Sequence, residues 1–366
     1  MPVWPFIPPV SASPACMLLF AVGWHLVHGS VDRRLERVLR YVSPIMENEN
    51  KPVFEYLRLS VTDRCNLRCV YCMPAEGVPK MSHDQVLTYE EMIEIVRACA
   101  AEGVHRVRIT GGEPLVRKGL CGFIASLGGI PEIDDISLTT NGILLPGFAA
   151  DLRNAGIRRI NISLDSLKAE RYARITRGGD IGRVMAGIDA AIMAGLNPVK
   201  LNVVMMPGEN DDEIEAFGRL ACRLPVHVRF IERMPFASGE RGSTGFIAQE
   251  EVIERLTRAG LRLIPVEEPL GGGPANIFRI EGEAGFIGFI SSRSHPFCTR
   301  CTRLRLTVSG KLLPCLDSTD GIDVRGLGHN AIIEAVRTLA RQKRAAKKSC
   351  ARFVDAPCIS LSDIGG

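Results

Sequence analysis

The chain has 366 residues, which is enough for one large domain or for a domain with a smaller second one. Apolar residues make up 46% of the chain and charged residues 23%, a balance that excludes disorder as the dominant state. The net charge of +4 is too small to indicate a nucleic-acid partner.

The first 45 residues differ in composition from the rest of the chain. Their apolar run, residues 15–27, is too short to span a bilayer, and no basic residues precede it as they would in a signal peptide. We expect residues 1–45 to form no domain. A misassigned start codon, with the functional polypeptide beginning near Met46, is the simplest explanation of this segment.

Strand and helix patterns alternate from Leu57 onward. The predicted strands are Leu57–Val61, His105–Gly111, Ile136–Gly142, Arg159–Asp165, Val199–Met205 and Val226–Glu232. A capping box at Thr88 begins the first helix, and further helices are predicted near Gly147–Ala155, Val184–Ala194 and Asp211–Arg223. Six β/α units predict an α/β fold with a parallel sheet, a partial (β/α)6 TIM-like barrel over residues 46–245.

The pattern changes after about residue 245. A helix near Gln249–Ala259 precedes strand-like runs at Asn276–Ile280 and Gly285–Ile290, and a basic helix at Arg337–Lys348 follows. We interpret residues 246–366 as a smaller C-terminal α+β domain.

Two groups of three cysteines stand out among the twelve in the chain. Cys65, Cys69 and Cys72 lie in one loop with the spacing C-x3-C-x2-C. Zinc sites usually use four ligands, so three cysteines indicate an iron–sulfur cluster with one iron that lacks a protein ligand. A zinc knuckle is the alternative.

The second group has the spacing C-x2-C-x13-C and consists of Cys298, Cys301 and Cys315. His295 or Asp317 could complete a zinc site there, which leaves zinc and iron–sulfur chemistry both open on spacing alone. The other six cysteines are scattered and are expected to be buried as small hydrophobic residues: Cys16, Cys99, Cys121, Cys222, Cys350 and Cys358.

The first group, with Tyr71 before its last cysteine, resembles the signature of the radical S-adenosylmethionine (SAM) superfamily. Gly111-Gly112-Glu113-Pro114 resembles the second motif of that superfamily. The segments RLSVTDRCNLRCVYCMP, RVRITGGEPL, LTTNG, RRINISLDSL, RFIERM and CTRCTRLRLTVSGKLLPCL resemble the GTP 3′,8-cyclase family within it. The resemblance runs from about Leu57 to Gly366.

The resemblance implies a lyase that converts GTP to (8S)-3′,8-cyclo-7,8-dihydroguanosine 5′-triphosphate in molybdenum cofactor biosynthesis. It implies two [4Fe–4S] clusters, one on each cysteine group, and SAM as cofactor. The implied SAM contacts are Tyr71, Gly112, Ser163 and Met234. The implied GTP contacts are Arg58, Arg108, Thr139, Lys200, Arg303, Leu304 and Arg305, and the implied catalytic residues are Arg303, Arg305, Gly365 and Gly366.

The same resemblance implies a cytoplasmic enzyme, an electron donor such as flavodoxin or ferredoxin, and a homodimer. It also implies that the product passes to cyclic pyranopterin monophosphate synthase. Two alternatives stay open on the sequence. One is a radical SAM peptide maturase with an auxiliary cluster, and the other is a zinc-stabilised binding protein without enzymatic activity.

Overall fold

The computed structural model of the chain describes residues 52–234, 245–266, 273–316, 318 and 320–348. The predicted N-terminal segment, residues 1–45, lies outside the described residues, and so do Asp317, Gly365 and Gly366. No helix of the described part is long and apolar enough to cross a membrane.

Six parallel strands form the centre of one sheet and follow one another in chain order. They are β1 (Tyr56–Ser60), β2 (Arg106–Thr110), β3 (Asp135–Thr140), β4 (Arg159–Ser163), β5 (Val199–Met205) and β6 (Val226–Glu232). This arrangement confirms the predicted α/β fold with a parallel, partial barrel.

Helices connect these strands. They are α1 (Tyr89–Ala101), α2 (Leu120–Gly128), α3 (Ala149–Asn154), α4 (Ala169–Thr176), α5 (Ile181–Met193) and α6 (Ile214–Arg223). The capping box predicted at Thr88 is present, because its Oγ1 accepts from Glu91 N at 3.2 Å and its N–H donates to the Glu91 carboxylate at 2.7 Å. Helices α2 and α4 were not predicted from the sequence.

The strands after residue 245 extend this sheet at both edges. On one side β9 (Phe286–Ile290) lies parallel to β6, with β8 (Asn276–Ile280) and β7 (Leu263–Pro265) beyond it. On the other side β10 (Arg303–Leu306) lies parallel to β1, with β11 (Lys311–Leu313) and β12 (Ile322–Asp323) beyond it. The helices of this part are α7 (Gln249–Arg258) and α8 (His329–Lys348). The predicted domain boundary between residues 245 and 246 stays a prediction.

The two faces of the parallel sheet differ in polarity because residues alternate along each strand. One face packs aliphatic side chains into the hydrophobic core, among them Leu57, Val107, Leu138, Ile160, Leu201 and Val228. The intervening residues place polar and basic side chains on the other face. The sheet therefore offers a hydrophilic surface on which a charged ligand can lie.

The scattered cysteines differ in burial. Cys99 is fully buried in the core, as predicted. Cys121 and Cys222 are only partly buried and pack against the core from its margin, so the prediction of burial is wrong in degree for these two. Cys16, Cys350 and Cys358 lie outside the described residues.

Candidate active site

The first cysteine group lies in the loop that follows β1, at the carboxyl end of the strand. Cys65, Cys69 and Cys72 are partly buried, and the Leu67 N–H donates to Cys65 Sγ at 3.4 Å. Burial raises the pKa of Cys65 to about 11 and that of Cys69 well above its ordinary value. Because burial disfavours bare thiolates, the loop suits a positively charged group that binds them in that form.

Gly112 lets the glycine-rich loop after β2 approach the cysteine loop closely. A Cβ atom on Gly112 would lie 2.3 Å from Arg64 O and 3.0 Å from Cys65 N. Two backbone hydrogen bonds join the loops, from Gly112 N to Thr62 O and from Glu113 N to Arg64 O, each 2.8 Å long. A side chain at Gly112 would therefore displace the cysteine loop.

A buried carboxylate links the glycine-rich loop to the end of β3. Glu113 is 1% exposed and accepts hydrogen bonds from Thr140 Oγ1 and Asn141 N, both at 2.7 Å. Burial raises its pKa to about 7. The Asn141 amide in turn donates to Asn66 Oδ1 at 2.7 Å, within the cysteine loop. Glu113 and Asn141 thus support the position of that loop, a role that sequence reasoning did not assign to them.

Tyr71 is held by a second buried carboxylate. Its hydroxyl donates to Asp165 Oδ2 at 2.7 Å, and the Val204 N–H donates to Asp165 Oδ1 at 2.9 Å. Burial raises the pKa of Asp165 to about 6. Ser163 ends β4 and Met234 follows β6, so the four predicted SAM contacts all lie at the carboxyl edge of the sheet.

Three arginines form a row across the polar face. Arg58 of β1 lies directly beside Arg305 of β10 and Arg108 of β2. Arg305 is 4% exposed, and Arg108 Nε donates to Ser137 Oγ at 3.3 Å. The structure therefore brings together three residues that the sequence places far apart.

The polar face continues toward β5. Thr139 and Lys200 both align with Asn161 of β4, one on either side. Lys200 is 3% exposed. The predicted substrate contacts Arg58, Arg108, Thr139, Lys200 and Arg305 thus share one face.

Burial lowers the pKa of two of these cations, Arg58 and Lys200. The pKa of Arg58 is lowered well below its ordinary value, first by burial and then by Arg305. The pKa of Lys200 is lowered to about 7 by burial, with further repulsion from Arg229. Buried like charges are unfavourable unless an anion joins them, so this face suits a polyphosphate.

Arg229 belongs to the same surface and was missed by the sequence analysis. It donates to Asn161 Oδ1 at 2.5 Å and to Asn202 Oδ1 at 2.6 Å. Gly288 lies opposite, where a Cβ would come within 2.9 Å of the Arg229 side chain. A basic residue between apolar neighbours in a strand is a signal that could have found Arg229, which lies between Val228 and Phe230.

The second cysteine group lies at the amino end of the parallel strands, whereas the first group lies at their carboxyl end. Cys301 precedes β10, whose first residue, Arg303, is aligned with Tyr56 at the start of β1. The first cysteine loop follows the other end of β1, four residues farther along, which corresponds to about 13 Å. The basic face therefore lies between the two cysteine groups.

The surroundings of the second group are positively charged. Burial is the largest single influence on the Cys301 thiol and raises its pKa. Lys343 and Arg303 act in the opposite direction, and their combined effect is the stronger one, so the pKa of Cys301 lies below its ordinary value. Favoured thiolates suit a bound iron–sulfur group. Among the described residues, no set of three or more His, Cys, Asp or Glu side chains converges on a single metal ion.

Three other residues that were considered on the sequence, Arg303, Leu304 and His295, lie in different surroundings. The Arg303 guanidinium lies 5.3 Å from the centre of the Phe297 ring. Leu304 is fully buried and aligned with Leu57 on the aliphatic face, so only its backbone can reach the polar face. His295, considered above as a zinc ligand, has its Nε2 at 2.6 Å from Glu250 Oε1.

Comparisons with known proteins agree with this arrangement. The sequence model of the Radical SAM superfamily matches residues 59–221, and that of Molybdenum Cofactor Synthesis C matches residues 226–351. The GTP 3′,8-cyclase of Pelotomaculum thermopropionicum is 50% identical over 281 residues, covering 76% of this chain and 86% of that protein. The GTP 3′,8-cyclase of Geobacter sulfurreducens is 45% identical over 315 residues, covering 85% and 96%.

Solved structures support the fold. Streptococcus suis SuiB bound to its precursor peptide SuiA superposes with a TM-score of 0.57 at 12% identity, over 88% of this chain and 78% of SuiB. SuiB bound to S-adenosylmethionine gives 0.52 at 13% identity, over 81% and 67%. At such low identity the similarity concerns the fold alone.

Proposed function

The chain belongs to the GTP 3′,8-cyclase family of the radical SAM superfamily, and we infer that it converts GTP to (8S)-3′,8-cyclo-7,8-dihydroguanosine 5′-triphosphate in molybdenum cofactor biosynthesis. In reaction class it would be a lyase. One observation carries the proposal. A largely buried basic face lies between two groups of three cysteines, which are at opposite ends of the parallel strands.

As a member of the radical SAM superfamily, the chain uses a [4Fe–4S] cluster and SAM. We propose that Cys65, Cys69 and Cys72 would hold the cluster, which together with bound SAM would supply a 5′-deoxyadenosyl radical. Tyr71, Gly112, Ser163 and Met234 would contact SAM. Asp165 would fix the Tyr71 ring through the hydrogen bond to its hydroxyl, and Glu113 would fix the glycine-rich loop.

A second [4Fe–4S] cluster is proposed at Cys298, Cys301 and Cys315. There the guanine base would bind at the opposite edge of the sheet from SAM. The ribose of GTP would then lie over the polar face, within reach of both edges. The two cysteine groups are about the length of one short strand apart, which is a distance that a nucleotide can span.

The basic face would bind the triphosphate. Arg58, Arg108, Arg303 and Arg305 would offer planar guanidinium groups, which suit phosphate oxygens, and Lys200 would add a compact charge. Thr139 would donate a hydroxyl, and the backbone of Leu304 could take part. Lys200 and Arg305 are buried and the other side chains of the face are only partly exposed, so little water would reach the reacting ribose.

The wider setting follows from the same assignment. We propose a cytoplasmic homodimer that receives electrons from a flavodoxin or ferredoxin. Its product would pass to cyclic pyranopterin monophosphate synthase. No nucleic-acid partner is proposed, since the net charge is small.

Anaerobic reconstitution tests the proposed activity directly. The full chain is loaded with iron and sulfide, both are counted, and GTP, SAM and dithionite are added. We expect a brown protein with iron and sulfide for two clusters, and formation of the cyclised nucleotide. Cleavage of SAM without conversion of GTP would favour a peptide maturase, and a colourless zinc protein would favour a binding protein.

The affinity for GTP should depend on pH through Lys200. With its pKa near 7 in the free enzyme, Lys200 loses its proton as pH rises, and a bound triphosphate must restore it. We expect affinity to fall by up to about tenfold per pH unit between roughly pH 7 and pH 8.5, above the titration of the terminal phosphate. Lys200→Met should flatten this dependence. The affinity for GTP at each pH is measured by calorimetry.

A control variant shows whether the pH dependence of GTP affinity comes from Lys200 or from other titrating groups. Lys118 is exposed and lies outside the basic face. Lys118→Met should keep the full pH dependence. An unchanged slope in Lys200→Met would show that another group titrates.

The C-terminal glycines, which lie outside the described residues, are proposed to complete the site. Glycine lacks a side chain, so two in succession would approach the basic face with little steric hindrance. Deletion of Gly365 and Gly366 should leave the clusters and GTP binding largely intact and severely lower product formation. A peptide ending in Ile-Gly-Gly, added separately, should restore part of the activity. Full turnover of the truncated enzyme would disprove this role.

A further inference from the structure

A buried lysine lies beside the second cysteine group. Lys343 of α8 is 7% exposed, and its ammonium nitrogen lies 3.6 Å from Cys301 Sγ. The same nitrogen donates to Arg303 O at 2.6 Å and to Pro314 O at 2.7 Å. It also lies 5.1 Å from the centre of the Phe54 ring. The family resemblance assigned no role to this residue.

These contacts join the two chain segments that carry the cysteines. Arg303 follows Cys301 by two residues, and Pro314 directly precedes Cys315. An ammonium group has three N–H donors, and here two reach carbonyls while the third can face sulfur. Lysine is rarely buried to this extent unless it has a charged partner. The position of Lys343 is therefore tied to the cysteine group, in addition to the packing of α8.

The charges around Lys343 point the same way. Burial lowers the pKa of Lys343, and Lys347, one turn farther along α8, acts in the same direction, whereas Cys301 and Cys315 favour the charged ammonium. Arg303 adds a second positive charge near Cys301. A cluster held by three thiolates is negatively charged and becomes more so on reduction, so a buried cation stabilises the reduced form.

We propose that Lys343 is a positioning residue for the second cluster, which joins the Cys301 and Cys315 segments and raises the reduction potential of a [4Fe–4S] group bound there. This inference rests on the proposed second cluster. Charge and hydrogen bonds to sulfur are two of the factors that set such potentials. The role differs from substrate binding, because the ammonium is directed at a sulfur and two carbonyls.

The test isolates the second cluster in the full chain. Replacing Cys65, Cys69 and Cys72 together with alanine removes the first site. In that background the reduction potential is measured by a redox titration followed by electron paramagnetic resonance, and iron is counted. Four chains are compared: the background itself, Lys343→Met, Lys343→Gln and, as control, Arg341→Met. Arg341 is exposed on the same helix and bonds Thr338.

We expect Lys343→Met and Lys343→Gln to lower the potential so that the ratio of reduced to oxidised cluster falls at least tenfold, which is 59 mV for one electron. Lys343→Gln keeps hydrogen-bonding capacity without the charge, so it provides the measurement if Lys343→Met does not fold. Arg341→Met should keep the potential. An unchanged potential in Lys343→Gln with full iron content would overturn the role of Lys343 alone, whereas absence of iron from the background chain would overturn the second cluster itself.

Discussion

Replacement of Cys65 with serine is expected to reduce cleavage of SAM to the uncatalysed background. Cys65 is one of only three thiols in the loop after β1, and a hydroxyl is a poor substitute for a thiolate on iron. The protein should otherwise fold, because Cys65 is only partly buried at the margin of the core. Release of 5′-deoxyadenosine, measured by chromatography under anaerobic conditions, reports the loss.

Two further serine variants show whether the effect belongs to the loop. Cys222→Ser alters a partly buried thiol outside both cysteine groups and should retain cleavage and product formation. Cys298→Ser should lose product but keep some uncoupled cleavage, because it leaves the first group intact. Normal cleavage by Cys65→Ser, or normal product from Cys298→Ser, would contradict the assignment of the corresponding group.

Replacement of Gly112 with alanine is expected to have a comparable effect although it alters none of the three cysteines. The added methyl group would lie 2.3 Å from Arg64 O, so the backbone that carries Cys65 must move. Overpacking of this kind lowers the free energy of unfolding by roughly 1–3 kcal/mol. We expect loss of most SAM cleavage, together with fewer irons per chain after reconstitution, and a lower melting temperature.

The control for Gly112→Ala is a glycine with free space around it. Gly122 lies in α2, and apart from the adjoining backbone of that helix no atom lies within 4 Å of a Cβ built on it. Gly122→Ala should retain SAM cleavage and gain slightly in stability, since alanine is the better helix former. If Gly112→Ala binds iron and cleaves SAM like the wild type, the close packing of the two loops has no functional importance.

The sequence by itself determined the local features of this protein. Strand and helix alternation from Leu57 to Glu232 predicted the parallel sheet, because apolar periodicity reflects which side of each element is buried. The TYEE capping box predicted the start of α1, because both of its hydrogen bonds form within one turn. The spacing of Cys65, Cys69 and Cys72 indicated a common ligand, since residues in one short loop must lie close together.

Only the tertiary structure decided how distant segments meet. Arg305 lies beside Arg58 because β10, nearly 250 residues farther along the chain, pairs in parallel with β1. The same pairing sets the second cysteine group at the opposite edge from the first and brings Lys343 to Cys301. Strand pairing between remote segments depends on the packing of the whole sheet, and no local pattern encodes it. For that reason Lys343 became recognisable only when its neighbours were known.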